Sequence, residues 1–217
     1  MLYIVSTPIG NLEDITLRAI RILKEVDLIA CEDTRHTKIL TSKYGINTPL
    51  TSYFQYNKIQ KADFLIGKLK EGKNIALVSD AGTPGISDPG AHIINLAIQH
   101  RIPLTVIPGP TALIAALVIS GKPSHKFAFE GFLSNKASQR QKRLKELTSE
   151  KRTLILYESP HRLTKTLADI LEIFGDIELV VAREMTKKFE EVRREKVSAL
   201  IEHFTSTRPL GEFIIII

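Results

Sequence analysis

The apolar run Ile75-Ala76-Leu77-Val78 passes directly into SDAGTPGISDPG, residues 79–90. Those twelve residues hold three glycines, two prolines, two aspartates and two serines. Glycine permits positive φ and close backbone approach, and proline fixes φ. The segment therefore reads as a stiff, exposed loop at the carboxyl end of a buried strand. In open α/β sheets ligands bind at that end of the strands. The plain structural alternative is a Gly/Pro-rich turn with no ligand. The loop is neither a Walker A sequence nor GxGxxG, so it does not announce a phosphate cradle.

The rest of the chain repeats this alternation of apolar runs and helical periods. Residues 2–6, 28–31 and 104–107 read as further strands. Helices are predicted over 16–26, 58–71, 91–99 and 111–119. The second carries Ile59, Ala62, Leu65, Ile66 and Leu69 on one face, with Gly72 as its C-cap. After GKPS (121–124) a second unit begins, with strands over 126–130, 153–157, 178–182 and 213–217. Its helices are a basic one over 138–149, one opened by Ser159 as N-cap with Pro160 at N1, and one marked by Val197, Leu200, Ile201 and Phe204. The terminal IIII run suits a strand covered on both sides. The reading is two α/β domains, 1–120 and 121–217.

Composition narrows the partners. A net charge of +6 points to an anionic one. Residues 134–152 carry seven basic side chains against two glutamates, five of the six net charges. A solvated helix face is the structural alternative for that run. The single cysteine, Cys31, excludes an intramolecular disulfide and fits a reducing cytosol. The six histidines form no HxH or HxxxH pair, so no metal site is expected. No apolar stretch approaches the roughly 20 residues that span a bilayer. The N-terminus, MLYIVSTPIG, lacks a basic n-region and does not read as a signal peptide. A cytoplasmic protein with no membrane partner is expected.

Four strand ends carry unusual loops: TPIGNL (7–12), the 79–90 loop, PGPTA (108–112) and ESPHR (158–162). In a mainly parallel sheet such ends share one edge. Three belong to the first unit and one to the second, which predicts a cleft between the units lined by backbone amides, small side chains and Asp80. Such a surface suits an adenosine-like ligand, with a carboxylate for ribose hydroxyls and flat apolar contact for the base. The segment Cys31-Glu32-Asp33-Thr34-Arg35 sets two acids beside a base at another strand end. Its structural alternative is an N-cap by Asp33 or Thr34 with a local ion pair. Arg183 and Glu184 form a similar pair.

Together these segments are similar to one family. TPIGNLEDIT (7–16), CEDTRHT (31–37), SDAGTPGISDPG (79–90), PGPTA (108–112), GFL (131–133), YESPHR (157–162), ARE-TK (182–187) and GEF (211–213) occur in order along nearly the whole chain. They resemble the ribosomal RNA small subunit methyltransferase I family of the tetrapyrrole methylase superfamily. The resemblance implies S-adenosylmethionine as cofactor and methylation of the ribose 2′-hydroxyl of a cytidine in 16S ribosomal RNA, in the decoding region. It also implies two α/β domains with a cofactor cleft between them, a homodimer, and 16S rRNA or the small ribosomal subunit as partner. By the family pattern, cofactor contacts fall on Ile9, Gly10, Asp80, Ala81, Gly82, Thr83, Thr111, Ala112, Tyr157 and Met185. The chain departs from the family at 52–57, SYFQYN, where relatives carry a His-Glu-His-Asn stretch. It also has Ser134 where proline usually follows GFL.

A ribose hydroxyl is a weak nucleophile, so a general base assists its attack. Candidates are Glu32, Asp33 and Asp88, with Arg35, Arg162 and Arg183 as phosphate holders. The Glu32-Asp33-Thr34-Arg35 segment is the expected seat of the base. RNA contacts are expected from Lys136, Arg140, Lys142, Arg143 and Arg162. The rival readings are a tetrapyrrole methylase of the same superfamily and a non-catalytic RNA-binding assembly factor.

Overall fold

The computed structural model describes residues 1–54, 58–88 and 90–217, in two compact units, Met1–Thr111 and Ala112–Ile217. Residues 55–57 of the SYFQYN stretch and Pro89 of the long loop lie outside the described residues. Among the described residues no helix is long and apolar enough to cross a membrane.

In the first unit, β1 (Leu2–Val5), β2 (Leu28–Cys31), β3 (Leu50–Ser52), β4 (Ile75–Val78) and β5 (Leu104–Ile107) form a wholly parallel sheet, ordered β3-β2-β4-β1-β5. The continuous apolarity of β4 follows from burial on both faces. Ile75 and Leu77 join Leu2 and Ile4 under α3 (Lys58–Lys70) and α4 (Ala91–Gln99). Ala76 and Val78 join Val5 and Cys31 against α1 (Leu17–Glu25) and α2 (Thr34–Lys43). Thr16 caps α1, accepting from the Ala19 N–H at 3.1 Å. Gly72 follows α3 as expected, at φ 86°. Neither α2 nor β3 was expected. The ten residues of α2 bury only one large apolar side chain, Leu40, and β3 has three residues, too few for a period to register.

In the second unit, β6 (Phe127–Phe132), β7 (Thr153–Glu158), β8 (Glu178–Arg183), β9 (Glu191–Lys196) and β10 (Phe213–Ile216) form a sheet ordered β6-β7-β10-β8-β9. Only β6 and β7 run parallel. The expectation of mainly parallel strands thus holds for the first sheet and fails for the second. There the chain returns by a hairpin, β8 to β9, and then inserts its terminal strand antiparallel between β7 and β8. The Phe213–Ile216 strand is buried throughout, as its apolarity required. Strand β9 reads EVRREK and has no apolar face. It forms a charged sheet edge, which discourages further strand pairing. Helices α6 (Ala137–Leu147), α7 (Leu163–Phe174) and α8 (Val197–Ser206) cover one face through Leu144, Leu167, Ile170, Leu200 and Phe204. Helix α5 (Ala112–Ser120) packs on β8 and β10. It thus belongs to the second unit, and the division falls after Thr111 rather than after residue 120.

One helix start differs from its expectation. Ser159 does not cap α7. Its carbonyl accepts from the N–H groups of Arg162 and Leu163, and the helix begins at Leu163. Pro160 sits inside a tight turn, where its fixed φ is equally suited. The Ser159 N–H is taken by the Glu158 carboxylate at 2.7 Å. Gly175 ends the helix at φ 77°, as expected.

Candidate active site

Because the first sheet is parallel, the loops after β1, β2, β4 and β5 emerge along one edge. The loops after β1 and β4 are tied together. Thr7 N–H donates to the Gly82 carbonyl at 2.9 Å, and Gly82 N–H returns to the Thr7 carbonyl at 3.1 Å. The Thr7 hydroxyl donates to Ser79 O at 3.0 Å, and the Ser6 and Thr83 hydroxyls lie 2.8 Å apart. Ile9 is buried beside Gly82, while Gly10 is exposed and Asp80, Ala81 and Thr83 are half-buried. The family-pattern residues of this unit therefore share one rigid edge that presents a carboxylate, a hydroxyl and small side chains.

The acids at the end of β2 divide in character. Asp33 caps α2, accepting from Arg35 N at 2.8 Å, and is gripped by Arg35 Nε at 3.1 Å and Nη2 at 2.7 Å. These bonds hold its carboxyl well below the usual carboxylate range. The structural alternative, cap plus ion pair, is what the structure contains. Asp33 N–H also donates to Asp80 Oδ1 at 3.1 Å, linking this segment to the long loop. Glu32 is the opposite case. Burial pushes its carboxyl up, the nearby Asp88 and Asp80 charges push it further, and a bond from the Asp80 backbone offsets only part of this. Two adjacent carboxyls with pKa values driven apart are the pattern of an acid–base site. The weakly basic, fully engaged Asp33 suits positioning, and Glu32 suits proton uptake.

In the second unit, Met185 is buried between two residues in left-handed backbone, Glu184 at φ 50° and Thr186 at φ 67°. Such strain persists only where the surroundings hold it. Glu184 Oε1 accepts from Lys187 Nζ at 2.9 Å and from Glu212 N–H at 3.0 Å, and Lys187 also reaches Glu212 Oε2 at 2.8 Å. The Glu184 side chain lies directly over Gly211, where an added Cβ would come within 2.3 Å of it. The ARE-TK and GEF segments, far apart in sequence, are thus one structure around Met185. Sequence reading flagged both segments but not their pairing. Tyr157 is half-buried at the end of β7, Ala112 begins α5, and Thr111 precedes it.

The family model for Tetrapyrrole (Corrin/Porphyrin) Methylases matches residues 1–201. The chain is 50% identical over 216 residues to the ribosomal RNA small subunit methyltransferase I of Thermotoga maritima, covering 100% of this chain and 97% of that one. It is 48% identical to the protein of that name from Escherichia coli O157:H7, covering 100% of this chain and 77% of that one. The chain belongs to the ribosomal RNA small subunit methyltransferase I family. Its fold is that of the wider superfamily. Uroporphyrin-III C-methyl transferase from Thermus thermophilus, complexed with S-adenyl homocysteine, superposes with a TM-score of 0.70 at 19% identity, covering 99% of this chain and 96% of that one.

The basic segment of this methyltransferase I family member is not one uniform charged face. Arg140 is 4% exposed and its Nε donates to the buried Asp169 of α7. Gln141 completes that carboxylate at 2.8 Å. Arg140 is therefore a tie between α6 and α7 and has no exposed head to offer a phosphate. Arg143 is exposed but forks onto Glu130, with both bonds at 2.9 Å, and reaches Glu146 at 2.9 Å. Arg162 is turned inward, donating to Leu133 O at 2.6 Å, to Asn135 Oδ1, and lying 3.2 Å from Glu158. Arg183 donates to Leu210 O at 2.8 Å and pairs with Glu191. Of the expected RNA contacts, Lys136 and Lys142 stand exposed, joined by Lys145.

Proposed function

We propose that this protein transfers a methyl group from S-adenosylmethionine to the ribose 2′-hydroxyl of a cytidine in 16S ribosomal RNA. The observation that carries this reading is identity of about half the residues, over the whole chain, with proteins named ribosomal RNA small subunit methyltransferase I. A tetrapyrrole substrate draws support only from the superfamily-wide family model and the shared fold.

The residues at the first sheet edge fit the cofactor. Asp80 supplies a carboxylate for the ribose hydroxyls, Thr83 and Thr111 supply hydroxyls, Gly10 and Ala81 leave backbone amides approachable, and Gly82 ties the loop to Thr7. Ile9, Ala112, Tyr157 and Met185 are the apolar contacts of the reading. A methyltransferase of the same fold in complex with S-adenyl homocysteine supports the choice of cofactor. The bound cofactor supplies an electrophilic methyl group on a sulfonium. The chain's own residues align the acceptor oxygen in line with that methyl, and alignment alone is worth about 7–11 kcal/mol. Glu32 takes the hydroxyl proton, helped by a raised pKa that keeps it poised nearer neutral pH. Asp33 and Arg35 fix the turn that presents Glu32. Lys136, Lys142 and Lys145 hold RNA phosphates. The reading includes a homodimer and the small ribosomal subunit as partner.

Incubating the purified protein with S-adenosylmethionine and either 16S rRNA or small subunits, then mapping 2′-O-methylation, tests it. One new modified cytidine in the decoding region is expected. No transfer to either RNA form, or transfer to a base, overturns the reading.

A further inference from the structure

An exposed aromatic side chain next to the basic helix leaves more than half of its surface to solvent. Phe132, the last residue of β6, is 56% exposed. Its direction is set by a bulge. Along β6 and β7, Phe129 faces Ile155, Gly131 faces Leu156 and Phe132 faces Tyr157. Glu130 and Gly131 together therefore oppose a single residue of β7. Within this bulge Gly131 stands at φ 62°, in left-handed backbone that other residues rarely adopt. In an unbroken strand Phe129 and Phe132 would point to opposite faces. The bulge brings them to one face, both edge-on to Tyr157, with ring centroids at 4.9 and 5.6 Å.

The loop after this bulge is equally constrained. Arg162 donates to Leu133 O and Asn135 Oδ1, holding the loop that leads to α6. Immediately beyond stand the exposed lysines 136, 142 and 145. An exposed ring fixed in orientation, beside a run of unburied positive charge, is the combination by which proteins hold single-stranded nucleic acid. The charges track phosphates and the ring stacks a base.

We propose that Phe132 is a stacking platform for a nucleobase of the RNA strand whose phosphates lie along the exposed lysines of α6. This rests on the RNA-methyltransferase reading above and adds a positioning residue to it. Tyr157 holds the ring in a T-shaped contact, and the bulge at Gly131 aims it.

The chain contains no tryptophan, so Phe132→Trp introduces a single tryptophan whose emission can be excited apart from the tyrosines. Titrating that variant with a 16S rRNA fragment spanning the decoding region is expected to quench its fluorescence, and titrating with S-adenosylmethionine alone is not. Phe132→Leu keeps apolar packing on Tyr157 and removes the π face. It is expected to weaken RNA binding by about 5- to 150-fold, the loss of one stacked base, with cofactor affinity by calorimetry unchanged. Phe132→Tyr is expected to restore RNA affinity. RNA affinity unchanged in Phe132→Leu, or a loss confined to cofactor affinity, overturns the proposal. A wild-type protein that methylates no rRNA overturns the underlying reading instead, and is read in the wild-type arm.

Discussion

At the scale of single residues, the CEDTR segment shows how neighbouring acids acquire different chemistry. Both carboxyls of Glu32 and Asp33 are visible in the sequence, but the sequence does not say which one is engaged. Asp33 is tied up by Arg35 and the start of α2, whereas Glu32 is desolvated beside Asp88 and Asp80. Glu32→Gln is expected to lower kcat by roughly 10²–10⁴-fold. Asp33→Asn, which keeps a capping oxygen, is expected to lower it far less. An equal loss in the two variants removes Glu32 from the role of base. The wild-type rate should also rise with pH through a value above the ordinary glutamate range, a limb that Glu32→Gln flattens. Stability runs the other way. A carboxyl with a raised folded pKa contributes stability that is fully present below its unfolded pKa. That contribution is lost as pH rises through the folded value. Glu32→Gln should therefore raise Tm at neutral pH and give no such gain under acid conditions, which thermal melts at two pH values check.

At the scale of elements, the basic helix α6 shows why a charge run is not yet a surface. Charge is legible in sequence, and here the side it faces was legible too. Arg140, Leu144 and Leu147 fall at i, i+4 and i+7, on the stripe the helix buries. Asp169 likewise belongs to the buried set Leu163, Thr166, Leu167 and Ile170 of α7. Counting charges along 134–152 without this periodicity put Arg140 among the RNA contacts. Removing one partner of a buried pair leaves an uncompensated charge, so Arg140→Ala is expected to cost about 3–5 kcal/mol of stability. Its effect belongs in a melting curve. A Lys142→Ala/Lys145→Ala double variant should melt as wild type does. It should instead weaken RNA binding and reduce the slope of log affinity against log salt by about 1.4–1.8, two phosphate contacts. An Arg140→Ala variant with wild-type Tm, or a double variant with an unchanged slope, reverses these assignments. The unexpected β9 teaches the complementary lesson. A strand made of EVRREK carries no alternation of apolar and polar residues, so only its hydrogen bonding to β8 defines it.

At the scale of the whole molecule, most of the parallel first sheet was legible because β1, β4 and β5 are short apolar strands followed by loops rich in Gly and Pro, while β2 and β3 lack such loops. The second sheet was less so. Strand direction depends on how distant segments return, and nothing within FIIII announces that it inserts antiparallel between β7 and β8. The loops of the site were visible for the same reason as the first sheet, whereas the Glu184-Lys187-Glu212 lock needs two segments brought together in space. Cofactor binding should register on the molecule as a whole. A ligand at 100 times its Kd adds about 2.7 kcal/mol to the folded state, and for a chain of this length each kcal/mol moves Tm by roughly 2–4 °C. S-adenosylmethionine is therefore expected to raise Tm by about 5–10 °C at that concentration. Asp80→Asn retains an acceptor for the Asp33 N–H but loses the charge offered to the ribose. If its Kd rises about 100-fold, the same cofactor concentration adds only about 0.4 kcal/mol, and the shift falls to a degree or two. A porphyrinoid in place of the cofactor should give no shift. An Asp80→Asn variant that still shows the full wild-type shift would remove Asp80 from the cofactor site and leave its carboxylate as a tie for the Asp33 turn alone.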